Sequence, residues 1–162
     1  PDGAPLYAAN RAPLEPSQFI KLPLGAIKAY GWLGVYLERQ RDGLTGKLGG
    51  LSKWLDKKDN AWLMAGGKYG WEELPYWLRG YVDLVYLLDD KDGIAEAQIW
   101  IEAIFKSQRE DGYFGPANPD GDKGCDLWPN MLVLFRMQSY YERTGDERVI
   151  DFMSKYFAWI AT

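Results

Sequence analysis

The sequence contains no histidine and a single cysteine, Cys125. The absence of histidine removes the commonest general base and the commonest zinc ligand from these residues. One cysteine cannot form an intrachain disulfide, so cysteine usage does not fix the redox compartment. No apolar run reaches the length of a membrane span, and we therefore expect no membrane association. Secretion or periplasmic export stays open.

A basic block is also lacking, because 19 Lys and Arg against 23 Asp and Glu give a net charge of −4 without a cationic cluster. Nucleic-acid binders need phosphate-contacting Lys and Arg, so we expect no nucleic-acid partner. Aromatic residues, in contrast, are abundant: eight Trp, eleven Tyr and six Phe. Aromatic rings pack cores and also form platforms for apolar ligand faces, so the sequence favours a large core or a ligand-lined cleft.

The chain divides near residue 25. Residues 1–25 hold five of the nine prolines and predict an extended N-terminal strap, whereas residues 26–162 carry helical patterns. After Pro23, the spacing predicts a first hairpin whose stripes are Ile27, Tyr30, Leu33 and Leu37, then Leu44, Leu48, Leu51 and Leu55. Glycines weaken this hairpin by roughly 1 kcal/mol each where they lie inside a helix.

Four later segments have clearer helical periodicity. The first and third are apolar around much of the helix, which predicts burial on two sides, and the second and fourth have narrower stripes. Gly145 is predicted to end the third helix and Asp146 to cap the fourth. The stripes are Leu74, Trp77, Leu78, Tyr81, Val82 and Val85; Ile94, Ala97, Ile101, Ile104 and Phe105; Trp128, Met131, Leu132 and Phe135; and Val149, Phe152, Met153, Tyr156, Phe157 and Ile160.

These four segments form a repeat with a period of 54 residues. The shift places Pro75 on Pro129, Tyr81 on Phe135, Tyr86 on Tyr140 and Asp92 on Asp146. Stacked helical hairpins of one period are typical of α/α solenoids and toroids, in which the broad helices form the inner ring. We expect Trp77, Tyr81, Leu132 and Phe135 to be buried, and we expect no β-sheet across residues 74–105.

The connections between helices are long at one end only. The stretches 56–71 and 109–125 are long, whereas 89–92 and 144–146 are short turns. Long loops in compact domains are usually functional. They precede the inner helices, whose N-termini favour anionic or hydroxyl-rich ligands. This end is the candidate site.

Several motifs at that end resemble the β-L-arabinofuranosidase-like glycoside hydrolases. The resemblance covers residues 20–162 and is carried by WEELPYWL at 71–78, QREDGYF at 108–114, DLWPN at 126–130 and QSYYERTGD at 138–146, with GWL at 31–33 and GLTG at 43–46. It implies an all-α, twelve-helix (α/α)6 barrel, of which residues 26–162 would be an incomplete domain with about half the helices.

The resemblance also implies chemistry that these residues do not supply. In the best-known branch it implies a zinc ion held by cysteines and a glutamate, with one cysteine as nucleophile, all beyond residue 162. Cys125 matches none of these motifs. The same branch has a histidine where this chain has Asn130. We therefore expect no cofactor within residues 1–162 and zinc only in a longer protein. The asparagine suggests another branch of the family, so the sugar specificity is left open.

Three carboxylates are candidates for catalysis, because glycoside hydrolysis normally needs an acid and a partner. They are Glu72, Glu73 and Asp126, and the alternative role of each is to stabilise a helix N-terminus. Aromatic and polar neighbours predict sugar contacts, with packing on the barrel rim as the alternative. The predicted substrate-binding residues are Trp71, Glu72, Tyr113, Asp126, Trp128 and Asn130.

No metal site is predicted within the chain. Asn118, Asp120 and Asp122 alternate as in a calcium loop, but Lys123 and Pro129 stand where that loop needs Gly and Glu, so a polar turn is favoured. Asp89, Asp90 and Asp92 are better explained as turn and capping residues.

The leading hypothesis is a glycoside hydrolase acting on a complex glycan, with its catalytic set completed by further sequence. The alternative is a non-catalytic carbohydrate-binding or scaffolding α/α domain. Two or three hairpins cannot close a ring, so we expect an apolar flank that is exposed or covered by self-association. We also expect residues 1–162 alone to be inactive.

Overall fold

The chain folds as consecutive α-helical hairpins in a computed structural model that describes residues 12–19, 21–116 and 127–162. Within these ranges there is no strand, only an isolated bridge between Asn60 and Tyr69. This confirms the predicted all-α fold class of barrel-type helical hairpins. The helices are α1 Gly31–Asp42, α2 Leu44–Leu51, α3 Glu73–Leu87, α4 Lys91–Lys106, α5 Trp128–Thr144 and α6 Arg148–Ile160, with single 3-10 turns at Lys53–Leu55 and Lys57–Asp59.

The turns that close the two later hairpins use the predicted residues. Gly145 ends α5 with a φ of 70°, a left-handed conformation that glycine adopts without a Cβ clash, and its N–H donates to the Tyr141 carbonyl at 2.7 Å. The Arg148 N–H donates to Asp146 Oδ1 at 3.1 Å, which caps the start of α6. Both predictions are confirmed.

Helices α3 and α5 lie side by side and parallel, because residues at equivalent positions of the repeat contact each other. The Tyr86 and Tyr140 ring centroids are 6.3 Å apart, and Arg143 Nη2 lies 2.9 Å from Asp89 Oδ1. Helices α4 and α6 then return along the outside of α3 and α5 through the short turns. The broad helices therefore form the inner layer, as the 54-residue period predicts.

The core contains three of the four side chains singled out by the repeat. Trp77, Tyr81 and Leu132 are buried, but Phe135 is 55% exposed, so the prediction that it is buried is wrong. Tyr81 is covered because it stacks on Trp77 at a centroid distance of 4.4 Å. Phe135 instead shares an α5 face with Trp128 and Met131 (spacings of three and four), and no described helix covers that face.

The first hairpin differs from the sequence prediction. Residues 24–27 form a turn and a bend, with Gly25 at a φ of 86°, and α1 begins only at Gly31 and has no buried residue. Lys28 Nζ donates to the Leu87 carbonyl at 3.2 Å, and Trp77 Nε1 donates to the Thr45 carbonyl at 2.9 Å. These contacts place the segment before α1 at the end of α3 and the first turn of α2 near the start of α3.

The expected stripe of Ile27, Tyr30 and Leu33 is therefore exposed instead of buried. Leu48 and Leu55 do pack on the core. The described part of residues 12–30 contains no helix, and the boundary of the strap at residue 25 stays a prediction. In the described ranges, no helix has the length and apolar character needed to cross a membrane.

Candidate functional site

The N-terminal ends of α3 and α5 meet through two aromatic side chains. Trp128 Nε1 donates to the Tyr76 hydroxyl oxygen at 2.8 Å, and both residues are nearly half exposed, at 46% and 47%. Trp128 also borders an apolar groove of about 380 Å³ that Met131 and Leu134 of α5 share with Phe157 and Ile160 of α6. The two rings therefore form a surface at the long-loop end of the bundle, where an apolar sugar face can pack.

The two candidate glutamates lie at the same end, at the start of α3. Glu72 occupies the N-cap position in a helical conformation (φ −102°, ψ −33°), and its side chain makes no capping hydrogen bond. Glu73 is the first residue of α3 and is exposed. A capping role would need a free N–H of the first turn to donate a hydrogen bond to the Glu72 carboxylate, and that bond is not formed. Both carboxylates are therefore accessible to a ligand at this end.

The loop at residues 56–71 is a folded scaffold. Asn60 is fully buried: its Nδ2 donates to the Trp54 carbonyl at 3.1 Å, and its Oδ1 accepts from the Trp62 N–H at 3.0 Å. Trp62 Nε1 in turn donates to the carbonyls of Gly70 and Trp71, at 3.0 and 3.2 Å. Trp71, a predicted sugar contact, is half-buried and held through its carbonyl. Sequence reasoning missed Asn60, because a buried amide in a loop leaves no periodic signal.

The second loop places Tyr113 and Asn130 behind the surface. Tyr113 is 2% exposed, its hydroxyl donates to the Pro116 carbonyl at 3.3 Å, and its ring meets Trp159 edge-on at 4.9 Å. Asn130, also 2% exposed, donates from Nδ2 to the Phe114 carbonyl at 2.7 Å. Asn130 thus fastens this loop to α5. A direct substrate contact by either residue stays a prediction.

Asp126, the remaining candidate, lies in the segment 117–126, outside the described residues. Cys125 and the calcium-like triplet of Asn118, Asp120 and Asp122 lie there too. The structure thus brings Glu72, Glu73 and Trp128 to one end, places Trp71 beside them in the chain, and sets Tyr113 and Asn130 beneath the loop. Tyr76 joins them although we did not single it out, and its place inside the 71–78 motif was the available signal.

An ion pair lies between the inner helices. Arg136 of α5 is buried and pairs with the half-buried Asp83 of α3. Burial lowers the pKa of the Arg136 guanidinium, and the Asp83 charge opposes that shift. The sequence signal was a pair of opposite charges, 53 positions apart, in the middle of the two broad apolar helices. The pair fixes the alignment of α3 and α5, and thereby the position of Tyr76 relative to Trp128.

The implied zinc ion finds no ligand set in the part of the chain that the structure describes. In residues 12–19, 21–116 and 127–162, no three His, Cys, Asp or Glu side chains are grouped so that they could hold a metal. The described residues therefore do not supply a ligand set for that ion, and the chemistry proposed for this chain does not use it.

A family model described as beta-L-arabinofuranosidase, GH127 catalytic domain, matches residues 8–162. No curated protein and no solved structure matches the chain.

Proposed function

This chain belongs to the GH127 β-L-arabinofuranosidase catalytic-domain family of glycoside hydrolases, and we propose that its sugar site is the end of the bundle where α3 and α5 begin. The observation that carries this proposal is the Tyr76–Trp128 contact at 2.8 Å beside Glu72 and Glu73. Two half-exposed rings and two accessible carboxylates then share one surface. Sugar rings need that combination, because they present C–H faces and hydroxyl groups together.

The chemistry proposed for this end is hydrolysis of an O-glycosidic bond in a complex glycan. Such hydrolysis normally uses one carboxylic acid to protonate the leaving oxygen and a second group to attack or to activate water. Glu72 is our first candidate for contact with the scissile sugar, because its carboxylate is not used to cap α3. Glu73 and Asp126 remain the other candidates, and the sugar and linkage are left open.

The proposal is tested by Glu72→Gln in the intact protein. Glutamine keeps the size of the side chain and removes its charge and proton chemistry, so we expect kcat/KM on the natural glycan to fall at least about tenfold, or about 1.4 kcal/mol in the barrier. We expect the melting temperature to stay nearly constant. A capping role predicts the reverse: a loss of stability of up to about 1 kcal/mol with activity retained.

The chain offers a matched control in Glu147→Gln. Glu147 is the N-cap residue of α6, has a helical backbone and makes no side-chain capping bond, as Glu72 does for α3. It lies at the short-turn end, so its replacement should leave both turnover and stability unchanged. Full activity of the Glu72 variant, or equal losses in the two variants, would place the site elsewhere.

A non-catalytic carbohydrate-binding domain is the alternative, and the same proteins distinguish it. It predicts that native protein binds sugar at the Tyr76–Trp128 surface without any turnover. We further propose that residues 1–162 alone do not hydrolyse an aryl glycoside, because the α5 face with Trp128, Met131 and Phe135 is uncovered. Robust turnover by residues 1–162 would overturn this part.

A further inference from the structure

The exposed side of α3 carries polar groups deeper in the bundle than the Tyr76–Trp128 surface. Helix α3 packs against α1, α4 and α5, so its remaining exposed side is the inner side of the stack and not one of its two open flanks. Tyr76, Gly80 and Asp83 lie on this inner face, because spacings of four and seven place residues on one side of a helix. Asp83 is two turns, or about 10 Å, from Tyr76 along α3. The inner face therefore continues the candidate sugar surface away from the loops.

A gap separates Tyr76 from Asp83 along the inner face. At Gly80, no heavy atom of the described residues lies within 4 Å of the position that a Cβ would occupy. A glycine inside a helix is less stable than an alanine, and no close neighbour in the described ranges requires a glycine here. Packing within the described residues does not explain Gly80, whereas a ligand that lies over α3 at this point does.

The carboxylate of Asp83 is held in place on the far side of this gap. Its Oδ1 accepts a hydrogen bond from Nη1 of Arg136. The Arg136 side chain is 5% exposed, whereas that of Asp83 is 35% exposed, so the arginine anchors the pair and the carboxylate reaches the surface. Replacing a buried ion pair by apolar side chains of similar volume is often neutral or stabilising, so stability alone does not explain this one. Asp83 thus presents an oriented hydrogen-bond acceptor on the inner face.

Two further side chains lie near the Asp83 carboxylate. Arg79, one turn earlier on α3, is exposed and carries N–H donors. Phe135 directly precedes Arg136 and is 55% exposed, on the face of α5 that it shares with Trp128. A matching ligand donates and accepts hydrogen bonds and has a C–H face, and a neutral sugar ring has all three properties. An anion would be repelled by Asp83, and an apolar group would desolvate Asp83 and Arg79 without pairing them.

We propose that the inner face is a second sugar subsite, in which a neutral sugar ring lies over Gly80, packs on Phe135 and donates a hydroxyl hydrogen bond to Asp83. This inference rests on the proposed function, because the ring is the neighbour of the sugar at the Tyr76–Trp128 surface. Asp83 and Phe135 then determine specificity: they favour a glycan that places two linked sugar residues at this end of the bundle.

Gly80→Leu tests the subsite, because leucine is a good helix former whose side chain fills the gap. The probes are methyl 1-thio-β-L-arabinofuranoside and the corresponding thio-linked disaccharide, which resist hydrolysis and carry the sugar that gives the family its name. In calorimetric titrations of the intact protein, the disaccharide should bind about tenfold more tightly than the monosaccharide. Gly80→Leu should lose this gain, keep its affinity for the monosaccharide and melt no lower than the native protein. Gly50→Leu, which also has open space around it inside a helix, is the matched control and should keep the gain.

Two other variants test the contacts. Phe135→Ala should remove the same gain without lowering the melting temperature, because Phe135 is largely exposed, whereas Ile150→Ala, at an exposed apolar position of α6, should change neither. Asp83→Asn keeps an oxygen that can accept from Arg136, and it should weaken binding of the disaccharide alone.

Equal affinities of the native protein for the two probes, or a gain that survives Gly80→Leu and Phe135→Ala, would overturn the subsite. So would equal losses for both probes, because they would mean that the variants disturb the alignment of α3 and α5. These results leave the proposed function standing when the monosaccharide still binds and Glu72→Gln still loses turnover. A gain that depends on Gly80 and Phe135 in a protein without any turnover would instead sink the proposed function and keep the subsite. Affinity for neither probe would overturn both.

Discussion

Replacing Asn130 by alanine removes the link between α5 and the loop that ends in Phe114. The amide Nδ2 of Asn130 lies 2.7 Å from the Phe114 carbonyl oxygen, and both residues are buried. The variant leaves that carbonyl without its partner, which costs about 1–3 kcal/mol. It also deletes three buried side-chain atoms, so we expect a total loss of roughly 2–4 kcal/mol. In a domain of this size that is a fall in melting temperature of about 5–15 °C.

Thermal and urea unfolding of Asn130→Ala would measure this loss, with Met131→Ala as the control. Met131 is the next residue of α5 and is exposed, so its variant should change stability by less than about 0.5 kcal/mol. Activity needs to be compared below the melting temperature of the weaker variant. If Asn130→Ala melts like the native protein yet loses its activity, Asn130 is a substrate contact. Our assignment of Asn130 as the structural link between α5 and the loop is then refuted.

Two further changes test the packing. Burial raises the pKa of Glu142 to about 7, from 4.5 in the unfolded chain, although the exposed Lys21 approaches it to 3.1 Å. The folded state then holds the proton more tightly, so native stability should fall by up to about 3 kcal/mol as pH rises from 4.5 to 7, and Glu142→Gln should remove that slope in melts at several pH values. If the stability of the native protein and of Glu142→Gln changes equally with pH, Glu142 is not the source of the slope. Gly112→Ala should destabilise by at least about 2 kcal/mol, because φ is 104° and the new Cβ would clash with the Lys155 carbonyl oxygen. Gly50→Ala is the control: it lies inside α2 with open space around it, so the same urea titration should show no loss and a gain of up to about 1 kcal/mol.

The four later helices could be predicted from the sequence because local signals agree there. Apolar stripes of helical period lie between strong turn residues, and Gly145 with Asp146 marks the junction of α5 and α6. The start of the first hairpin could not be predicted, because its apolar stripe is interrupted by glycines and the apolar pattern does not show their backbone conformation. Gly25 adopts a positive φ and delays α1 to Gly31. Apolar spacing alone does not say which neighbour covers a face.

The same limit explains the error at Phe135 and the late appearance of Tyr76. The repeat aligns Phe135 with Tyr81, but burial of Tyr81 depends on Trp77, which has no aromatic counterpart against Phe135. Loop lengths and helix direction were enough to predict which end of the bundle holds the candidate site. The hydrogen bond between Tyr76 and Trp128 could not be predicted, because it joins residues 52 positions apart and no local pattern sets the rotamers of their side chains.

The contacts between the two repeated hairpins join residues that occupy equivalent or adjacent places in the repeat. Tyr86 meets Tyr140, Asp83 meets Arg136 and Asp89 meets Arg143. A single inserted residue within either helix would rotate everything after it by about 100° and would separate these partners together. An insertion in the stretches that precede α3 and α5 leaves that phase unchanged. Change in chain length is thus better tolerated before these helices than inside them, so the chain can vary at the proposed sugar-binding end without altering the alignment of α3 and α5.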